Sequence, residues 1–457
     1  MWTTGICIWL DPQEHYMKKI KQFIPKDVLV LIQELEELGY ESWLVGGAVR
    51  NALLGQISAD YDITTKAEPE QILVSLSDKY KIIPTGLKYG TVTIIINHHI
   101  NVEVTTYRSE HGYSDARHPD RVKYVTNIKE DLSRRDFTIN AIAWHPDRGL
   151  LDEFNGTSDL HLGIIKTVGE ASERFAEDPL RILRALRFSS TLGFRLEKFT
   201  KEAACELRGK LKLVSPERLA HEWDQLLAGK NWLKVIAKHK IIIAEFIPYI
   251  GRINEDEISK NDEIYLRCKV ITTGEINDND KNMIIRHVVC AYLCNADVEE
   301  LRYVLSKLRY SNKLQDQILT VYSLVLDVKG LLSLENSGWS NDNLSTEVWR
   351  ILEKYGYDNV NFFISFAPCF SAQDNEKFLR FKEIVSDFTA AGLPVTIKDL
   401  CVNGSDVIIR TGHGEGEIIG DILEDLRQQV ISQRVANNRS GQITWLENYG
   451  KSRNGNV

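Results

Sequence analysis

A glycine turn between an apolar segment and a helical segment limits the architecture of this chain more than any other part of its sequence. Ser42 to Val45 has the length and composition of a buried strand, and Gly46 and Gly47 follow it directly. Ala48 to Leu54 then has the composition of a short helix. Backbone N–H groups at such a turn bind phosphate, and Arg50 would add a charge-assisted contact. The segment therefore predicts a strand, a turn and a helix arranged around an anion.

A pair of aspartates, Asp60 and Asp62, follows ten residues after Arg50. In the extended segment Ala59 to Thr65, side chains two apart share a face, so both carboxylates can face one metal site while Tyr61 faces away. Two Mg²⁺ ions about 3.5–4 Å apart would activate an attacking hydroxyl and neutralise a leaving pyrophosphate. Each motif alone is common in turns and solvated loops, but together they predict a nucleotidyl-transfer site.

A predicted β-hairpin supplies a third candidate carboxylate, Glu103. Its strands are Thr91 to Ile96 and Ile100 to Thr105. Alternation places Val102 and Val104 on one face and Glu103 on the other, where it would lie near the metal ions as a catalytic residue. An ordinary exposed strand glutamate fits the same pattern.

The length and composition indicate a globular protein of more than one domain. At 457 residues the chain is too long for one hydrophobic core, and we expect about two to four domains. Strand and helix patterns mix up to about Leu160, and helical patterns dominate beyond it. No apolar run approaches the roughly 20 residues that span a membrane. We therefore expect an α+β head followed by an all-helical remainder.

Charge and cysteine content bear on partners and location. The formal net charge of −8 argues against a basic coat over the whole surface, but it allows a local stripe of Lys and Arg that binds nucleic acid. The seven cysteines are scattered, and Cys290 and Cys294 lack the spacing and partners of a zinc site. A reduced, cytoplasmic protein is the simplest interpretation, with Met17 as an alternative start to Met1.

The segment Arg108 to Tyr124 is rich in charge and lacks periodicity, which predicts a mobile loop beside the site. Its histidines, His111 and His118, have no suitable metal-ligand partners nearby in the sequence, so a solvated loop is favoured over a metal site.

A second polar motif runs from Arg134 to Ala143. Its polar residues Asp136 and Asn140 are four apart, so both can lie on one face of a predicted helix. An aspartate and an amide suit the hydroxyls of a ribose, and Arg135 would then meet a phosphate. A capped structural helix with surface charges is the alternative for this segment taken alone.

A third motif, Glu173 to Phe188, carries a basic ridge. Arg181, Arg184 and Arg187 repeat every three residues, so they form one inclined row on a helix. Asp178 lies just before Pro179, which the first turn of a helix tolerates. Leucines beside the ridge would anchor the helix to a core: Leu180, Leu183 and Leu186.

The pair Asp178 and Arg181 could select bases. Cytosine and adenine both present an exocyclic amine donor beside a ring-nitrogen acceptor, which a carboxylate and a guanidinium match. Uracil and guanine would turn a carbonyl toward the carboxylate, at a cost of about 1–3 kcal/mol per unpaired group. The alternative is a capped helix with surface salt bridges.

In this order, the motifs resemble the class II tRNA nucleotidyltransferases (CCA-adding enzymes) and bacterial poly(A) polymerases, members of the polymerase-β-like nucleotidyltransferases. The resemblance is close from about Leu38 to Gln225 and weaker in the C-terminal region, at Leu393 to Leu400 and Asn403 to Asp406. The segments that carry it are GGAVR, DYD, VEVTTYR, RRDFTINAIA, EDPLRILRALRF and Ser215-Pro216-Glu217-Arg218.

This resemblance implies a fold and an activity. The fold is a polymerase-β-like nucleotidyltransferase head followed by an all-helical neck, body and tail. The activity is template-independent addition of CCA to the 3′ end of tRNA from CTP and ATP, with in-line attack on the α-phosphate and release of pyrophosphate. The implied parts are an N-terminal extension 1–26, a catalytic head 27–158, a nucleotide-selecting neck 159–228, a helical body 229–370 and a tRNA-binding tail 371–457.

The resemblance also implies roles for individual residues. Mg²⁺ would be held by Asp60 and Asp62, and the base would be read by Asp178 and Arg181. The body and tail would grip the acceptor stem and elbow of tRNA by shape and backbone. The oligomeric state, monomer or homodimer, stays open. The implied triphosphate, ribose and further nucleotide contacts are Gly46, Gly47, Arg50, Arg135, Asp136, Asn140, Arg184 and Arg187.

Two departures from the family pattern stand out. Asn51 occupies the position where the pattern GGxVRD usually has aspartate, so a charge beside Arg50 is lost. An asparagine can still accept a hydrogen bond, which predicts weakened rather than abolished activity. The chain has no His-Asp dipeptide, so we expect no phosphohydrolase domain of the kind some relatives carry.

Several activities share these motifs. Full CCA addition is favoured because the loop before the RRDFT motif has full length and no basic G-R-R-F signature of poly(A) enzymes occurs. Addition of CC only, of A only, or of poly(A) stays an alternative. A non-catalytic RNA-binding protein would not need Asp60 and Asp62, and a small-molecule nucleotidyltransferase would not need the long helical remainder.

Overall fold

The computed structural model divides the chain into two compact units. Unit 1 comprises residues 1–260 and 307–309, and unit 2 comprises residues 261–306 and 310–457. The structure describes residues 12–97, 99–112, 121–255, 258, 279–333, 341–370, 375–412, 416–432 and 434–454.

Unit 1 is built on a mixed β-sheet. Its strands are β1 (Ser42–Val45), β2 (Tyr61–Thr65), β3 (Lys81–Gly86), β4 (Thr91–Ile96), β5 (Ile100–Thr106), β6 (Arg108–His111), β7 (Arg121–Tyr124), β8 (Ala143–His145), β9 (Gly149–Leu151), β10 (Ile164–Ile165) and β11 (Arg195–Leu196). Seven of them form one sheet in the order β3-β4-β5-β2-β1-β8-β9. β2 runs parallel to β5, and the other neighbours are antiparallel. Asp62 and Glu103 are register partners, so their side chains lie on one face.

Helices surround this sheet and continue beyond it. They are α1 (Pro12–Lys21), α2 (Lys26–Glu37), α3 (Gly47–Leu53), α4 (Pro69–Leu76), α5 (Ile128–Ser133), α6 (Gly156–Leu162), α7 (Ala171–Glu177), α8 (Leu180–Leu192), α9 (Lys198–Leu207), α10 (Pro216–Ala228), α11 (Trp232–Lys238) and α12 (Lys240–Ile243).

Helix α2 shows why the sequence folds this way locally. Its apolar residues recur at helical spacing and are buried: Val28, Leu31, Ile32 and Leu35. Gly39 follows with φ of 87°, a left-handed conformation that glycine adopts without a steric penalty and that ends the helix. The predicted helix Asp27 to Leu38 is therefore confirmed to within one residue at each end.

The RRDFTINAIA segment differs from its prediction. It was expected to be one helix, but α5 ends at Ser133, a 3₁₀ turn covers Thr138–Asn140, and β8 follows. Phe137 is extended and fully buried, and it bridges to Thr167. Burial of this aromatic ring across a strand bridge outweighs the helical spacing of the polar residues.

The neck region also differs in detail. The helix carrying the arginine ridge begins at Leu180, and Asp178 is extended with φ of −138° and ψ of 100°. A residue before proline is pushed out of the α conformation, so Pro179 separates α7 from α8. The short pair β10 and β11 interrupts the predicted all-helical neck. Leu180, Leu183 and Leu186 are buried, as the anchoring prediction requires.

The segment predicted as a mobile loop contains an antiparallel ribbon. Arg108–His111 pairs with Arg121–Tyr124, so the prediction of a loop is wrong for both ends of the segment. Cross-strand hydrogen bonds rather than helical or sheet periodicity define this ribbon, which explains why the pattern gave no signal. His118 lies outside the described residues.

From residue 279 onward the described elements are helical, as predicted. They are α13 (Asn279–Leu293), α14 (Val298–Lys307), α15 (Asn312–Leu332), α16 (Asn341–Phe366), α17 (Asn375–Ala390), α18 (Gly404–Thr411), α19 (Glu417–Ile431) and α20 (Arg439–Asn454). A local core joins the last helices through Val407, Ile422, Leu426 and Leu446. Across the described part of the chain, no helix combines the length and the hydropathy that a membrane crossing requires.

Candidate active site

A single cavity of about 1170 Å³ in unit 1 brings together every residue that the sequence nominated for the site. Its lining residues come from strands β2, β4 and β5, the turn before α3 and helices α8 and α10, among other segments. The nominated residues that line it are Gly46, Gly47, Arg50, Asp60, Asp62, Glu103, Arg135, Asp136, Asn140, Asp178, Arg181, Arg184 and Arg187.

One side of the cavity is acidic. Asp60, Asp62 and Glu103 form this acidic edge, whereas Tyr61 is only 3% exposed and faces the core as alternation predicts. Burial and the charge of Asp60 raise the pKa of Asp62, although Arg135 opposes the shift. Burial and the charges of Asp62 and Asp60 also raise the pKa of Glu103. Carboxylates that repel one another favour a cation nearby.

Gly46 lies directly against this edge. Its φ of 70° is a left-handed conformation that non-glycine residues rarely adopt. A Cβ at this position would lie 3.1 Å from Nη1 of Arg135 and 3.3 Å from Oδ2 of Asp62. Glycine is therefore needed both for the turn and for the close approach of the two charged groups.

Arg50 is a buried cation of the site, with only 9% of its surface exposed. Its Nη2 and Nε donate to Oδ1 of Asn51 at 3.0 and 3.2 Å, and its Nη1 donates to Oδ1 of Asn140. The guanidinium carbon lies 5.0 Å from the centre of the Phe188 ring. Asn51 thus accepts two hydrogen bonds from the arginine where one was predicted.

The arginines beside the turn are suited to an anion. Burial lowers the pKa of Arg50 to about 10, and the nearby charges of Arg187 and Arg184 act in the same direction. A negative ligand would relieve this repulsion. Arg135 forms an ion pair of 3.6 Å with Asp131, and its Nε is buried with no hydrogen-bond partner in the described structure. A buried donor left unpaired costs about 1–3 kcal/mol, which a phosphate oxygen would recover.

A chain of polar contacts crosses the cavity floor through Asp136. Its Oδ1 accepts from Nδ2 of Asn140 at 3.0 Å and from the Phe137 backbone N–H at 2.8 Å. Its Oδ2 accepts from Nε and Nη2 of Arg184 at 3.0 and 2.7 Å. Burial alone would raise the pKa of Asp136, but the charge and hydrogen bonds of Arg184 and Asn140 hold it well below its usual value. Each oxygen of the Asp136 carboxylate therefore accepts two hydrogen bonds, and these bonds hold Asn140 and Arg184 in place.

The same chain continues to α10 through Glu222, a residue only 4% exposed. Its Oε1 lies 3.3 Å from Nη1 of Arg184, and its Oε2 lies 2.9 Å from Nε of Arg187. The second contact is an ion pair, since the N–H direction of Arg187 is not aligned for a hydrogen bond. The ridge on α8 is therefore held from both sides.

The proposed base-reading residues are anchored separately. Asp178 accepts from the Leu180 backbone N–H at 3.1 Å and from Nη2 of Arg218 at 2.8 Å. Nη1 of Arg181 donates to Oε2 of Glu177 at 2.6 Å. Both residues line the cavity.

The chain matches known family models in three separate regions. Residues 42–166 match the model described as the poly A polymerase head domain. Residues 193–238 match the model described as the probable RNA and SrmB-binding site of polymerase A. Residues 286–445 match the model of tRNA nucleotidyltransferase domain 2.

Full-length relatives decide the family. A CCA-adding enzyme of Leuconostoc citreum is 32% identical over 419 residues, covering 90% of this chain and 92% of the relative. A CCA-adding enzyme of Geobacillus kaustophilus is 32% identical over 426 residues, covering 92% and 96%. The chain belongs to the family of CCA-adding enzymes. It is a nucleotidyltransferase, as its motifs predicted.

Solved structures of CCA-adding enzymes share the fold. The Bacillus stearothermophilus CCA-adding enzyme in complex with CTP has a TM-score of 0.70 and 28% identity, and the match covers 94% of this chain and 99% of that chain. The Thermotoga maritima CCA-adding enzyme complexed with tRNA-CCA has a TM-score of 0.63 and 21% identity, with coverage of 94% and 97%. The expected head followed by helical regions is thereby confirmed.

Sequence reasoning missed several residues of this CCA-adding family site. Glu222 and Arg218 come from α10, which the sequence marked only as part of the resemblance. They lie four apart, on one face of the helix. Phe188 ends the arginine motif, and its ring lies 4.4 Å from the Arg187 guanidinium carbon. The available signal was the spacing of Arg218 and Glu222 on one helix face. Arg218 is opposite in charge to its partner Asp178, and Glu222 is opposite in charge to its partners Arg184 and Arg187.

The residues of the acidic edge fit the divalent ions on which CCA-adding enzymes generally depend. Burial first, and then repulsion by neighbouring carboxylates, raises the pKa of Asp62 and of Glu103, and a cation would relieve the repulsion. Within the described ranges, no three His, Cys, Asp or Glu side chains converge closely enough to hold a metal by themselves. Mg²⁺ bound by Asp60 and Asp62 would therefore take its other ligands from phosphates and water, as Mg²⁺ commonly does.

Proposed function

We propose that the chain adds CCA to the 3′ end of tRNA from CTP and ATP without a nucleic-acid template and releases pyrophosphate. Its partners would be tRNA, CTP and ATP in the cytoplasm. The observation that carries the proposal is the convergence, in one cavity, of the arginines beside the glycine turn, an acidic edge and the anchored pair Asp178 and Arg181. Each group matches one part of a nucleoside triphosphate.

The triphosphate would lie along the glycine turn. Arg50 is buried among other arginines and held at three donors by two amides, so its charge is fixed toward the cavity. Arg135 offers a buried, unpaired Nε close to Gly46. Fixed donors in a partly dry site stabilise developing charge more than mobile ones do.

The acidic edge would serve the reacting end. When bound, Mg²⁺ supplies positive charge for the attacking hydroxyl and the leaving pyrophosphate. Asp60 and Asp62 would provide its carboxylate ligands, and Glu103 would keep the edge negative from the neighbouring strand. In-line attack of the RNA 3′ hydroxyl on the α-phosphate then extends the chain by one nucleotide.

Asp178 and Arg181 would choose the base. The carboxylate accepts from the exocyclic amine of cytosine or adenine, and the guanidinium donates to the ring nitrogen. Arg184 and Arg187 lie further along α8, where Asp136 and Glu222 hold them as further nucleotide contacts. The double variant Asp178→Ala with Arg181→Ala should relax base choice and leave metal binding intact.

The test uses tRNA transcripts that end before CCA, after C and after CC, each with CTP, ATP or both, and resolves products by single nucleotides. Full CCA addition predicts C incorporation on the first two substrates and A on the third. Failure to extend the first substrate with CTP would leave A addition as the activity. Extension of any substrate by a long run of A would instead indicate a poly(A) polymerase.

A further inference from the structure

We infer that Arg218, on helix α10, is a positioning residue that sets nucleotide selectivity by holding Asp178. The inference rests on the proposed function, in which Asp178 reads the base. Nη2 of Arg218 lies 2.8 Å from Oδ2 of Asp178, and the two side chains are 21% and 14% exposed. The contact is a partly buried ion pair at the wall of the cavity.

Asp178 needs such a partner because no helix fixes it. Pro179 forces it into an extended conformation between α7 and α8. Its Oδ1 is held by the Leu180 backbone N–H at 3.1 Å, which leaves rotation about that contact as its remaining freedom. Arg218 holds Oδ2 and so removes this freedom. Each oxygen then keeps a lone pair for the amine of cytosine or adenine.

Arg218 can serve as an anchor because α10 is fixed tightly against α8. Oγ of Ser190 on α8 donates to the Leu226 carbonyl of α10 at 2.7 Å. A Cβ at Gly229, directly after α10, would lie 2.2 Å from the same Oγ. The two helices approach so closely that only glycine fits there. The position of the Arg218 guanidinium is therefore fixed relative to α8, the helix that carries Arg181.

The arrangement predicts a selectivity effect rather than a general loss. Without Arg218, the carboxylate can rotate away from a uracil or guanine carbonyl, so the penalty for the wrong base falls. A positioned hydrogen bond to a charged group discriminates between bases, so discrimination against UTP and GTP should fall about tenfold in Arg218→Ala. Arg218→Lys keeps the charge but loses the planar fork and should lie between the two.

The matched control is the preceding residue of the same helix. Glu217 is exposed, forms an ion pair with Arg309 and lies outside the cavity. Glu217→Gln therefore alters the charge and ion pairing of α10 at the same turn without touching Asp178, and it should leave discrimination unchanged.

The experiment measures kcat/KM for CTP, ATP, UTP and GTP on the full chain with tRNA lacking CCA or ending in CC. The expected result is a lower CTP/UTP and ATP/GTP ratio in Arg218→Ala and Arg218→Lys, and no further change when Arg218→Ala is added to Asp178→Ala. Equal loss for all four nucleotides, with the ratios preserved, would overturn the inference. Arg218→Lys gives this answer even if Arg218→Ala fails to fold. A wild-type chain without any CTP or ATP preference would contradict the proposed function itself.

Discussion

Asn51→Asp tests how the site holds the buried cation Arg50. Asn51 already accepts two hydrogen bonds from Arg50, at 3.0 and 3.2 Å, so a carboxylate of the same shape needs no rearrangement. The substitution turns a neutral acceptor into a charge-assisted, bidentate partner. It also offsets the repulsion that Arg187 and Arg184 exert on Arg50.

The size of the effect follows from the contact. Opposite charges about 4 Å apart attract by about 4 kcal/mol at an effective dielectric constant of about 20. Desolvation of the new carboxylate offsets most of this, and the net gain of a charged over a neutral hydrogen bond is about 1 kcal/mol. A gain of about 1 kcal/mol in orienting Arg50 corresponds to roughly a fivefold rise in kcat/KM for CTP.

The assay is single-nucleotide extension of tRNA lacking CCA with varied CTP, comparing Asp, Asn and Ala at position 51. We expect the order Asp, then Asn, then Ala, because Asn51→Ala removes both acceptor contacts. Equal kcat/KM for the Asp and Asn forms would refute the view that a charge beside Arg50 was lost at this position. Melting temperatures of the three proteins show whether a change in kcat/KM comes from the orientation of Arg50 or from a change in the stability of the fold.

The other predictions concern the glycine turn, the cavity floor and the acidic edge. Gly46→Ala should lower kcat at least tenfold in steady-state kinetics, because its Cβ would lie 3.1 Å from Arg135 and 3.3 Å from Asp62. The control is Gly55→Ala, which has the same backbone strain at φ of 76° but places its Cβ 3.8 Å from the nearest side chain. Asp136→Asn should lower the free energy of unfolding at pH 7 by about 1–3 kcal/mol in urea titrations, because it removes the charged acceptor of Nε and Nη2 of Arg184 and leaves Arg184 its ion pair with Glu222. The pKa of Asp136 is lower in the folded state than in the unfolded state. Its contribution to the free energy of unfolding is therefore present above its unfolded pKa of about 3.9 and is lost as pH falls through the folded pKa. If Asp136→Asn left the loss of stability at acidic pH unchanged, this assignment would be contradicted. Mg²⁺ should raise the melting temperature more at pH 7 than at pH 5, because the pKa of Asp62 is raised and protons compete with the metal toward acidic pH. An equal shift, or one retained in Asp62→Asn, would refute the metal assignment.

The sequence predicted the parts of the site that depend on local rules. The alternation around Asp62 and the burial of Tyr61 follow from strand geometry, and the leucines beside the arginine ridge follow from helical periodicity. The family resemblance ordered these motifs, and the structure brings them to one cavity.

Features that depend on distant contacts were not predictable in the same way. The helix expected at RRDFTINAIA is a 3₁₀ turn and a strand, since Phe137 is buried against a bridge to Thr167. The ribbon formed by β6 and β7 has no periodic sequence pattern, because hydrogen bonds between Arg108–His111 and Arg121–Tyr124 define it. The contact between Arg218 and Asp178 was also unforeseen, because the two residues are 40 apart in the sequence.

The most direct test of the account offers the wild-type chain all four nucleoside triphosphates at equal concentration with tRNA lacking CCA, and sequences the 3′ ends formed. The account predicts that C, C and A are added in that order, that addition then stops, and that U and G are rare. Ends that stop at CC, ends that carry U or G as often as C or A, or unextended tRNA would contradict it.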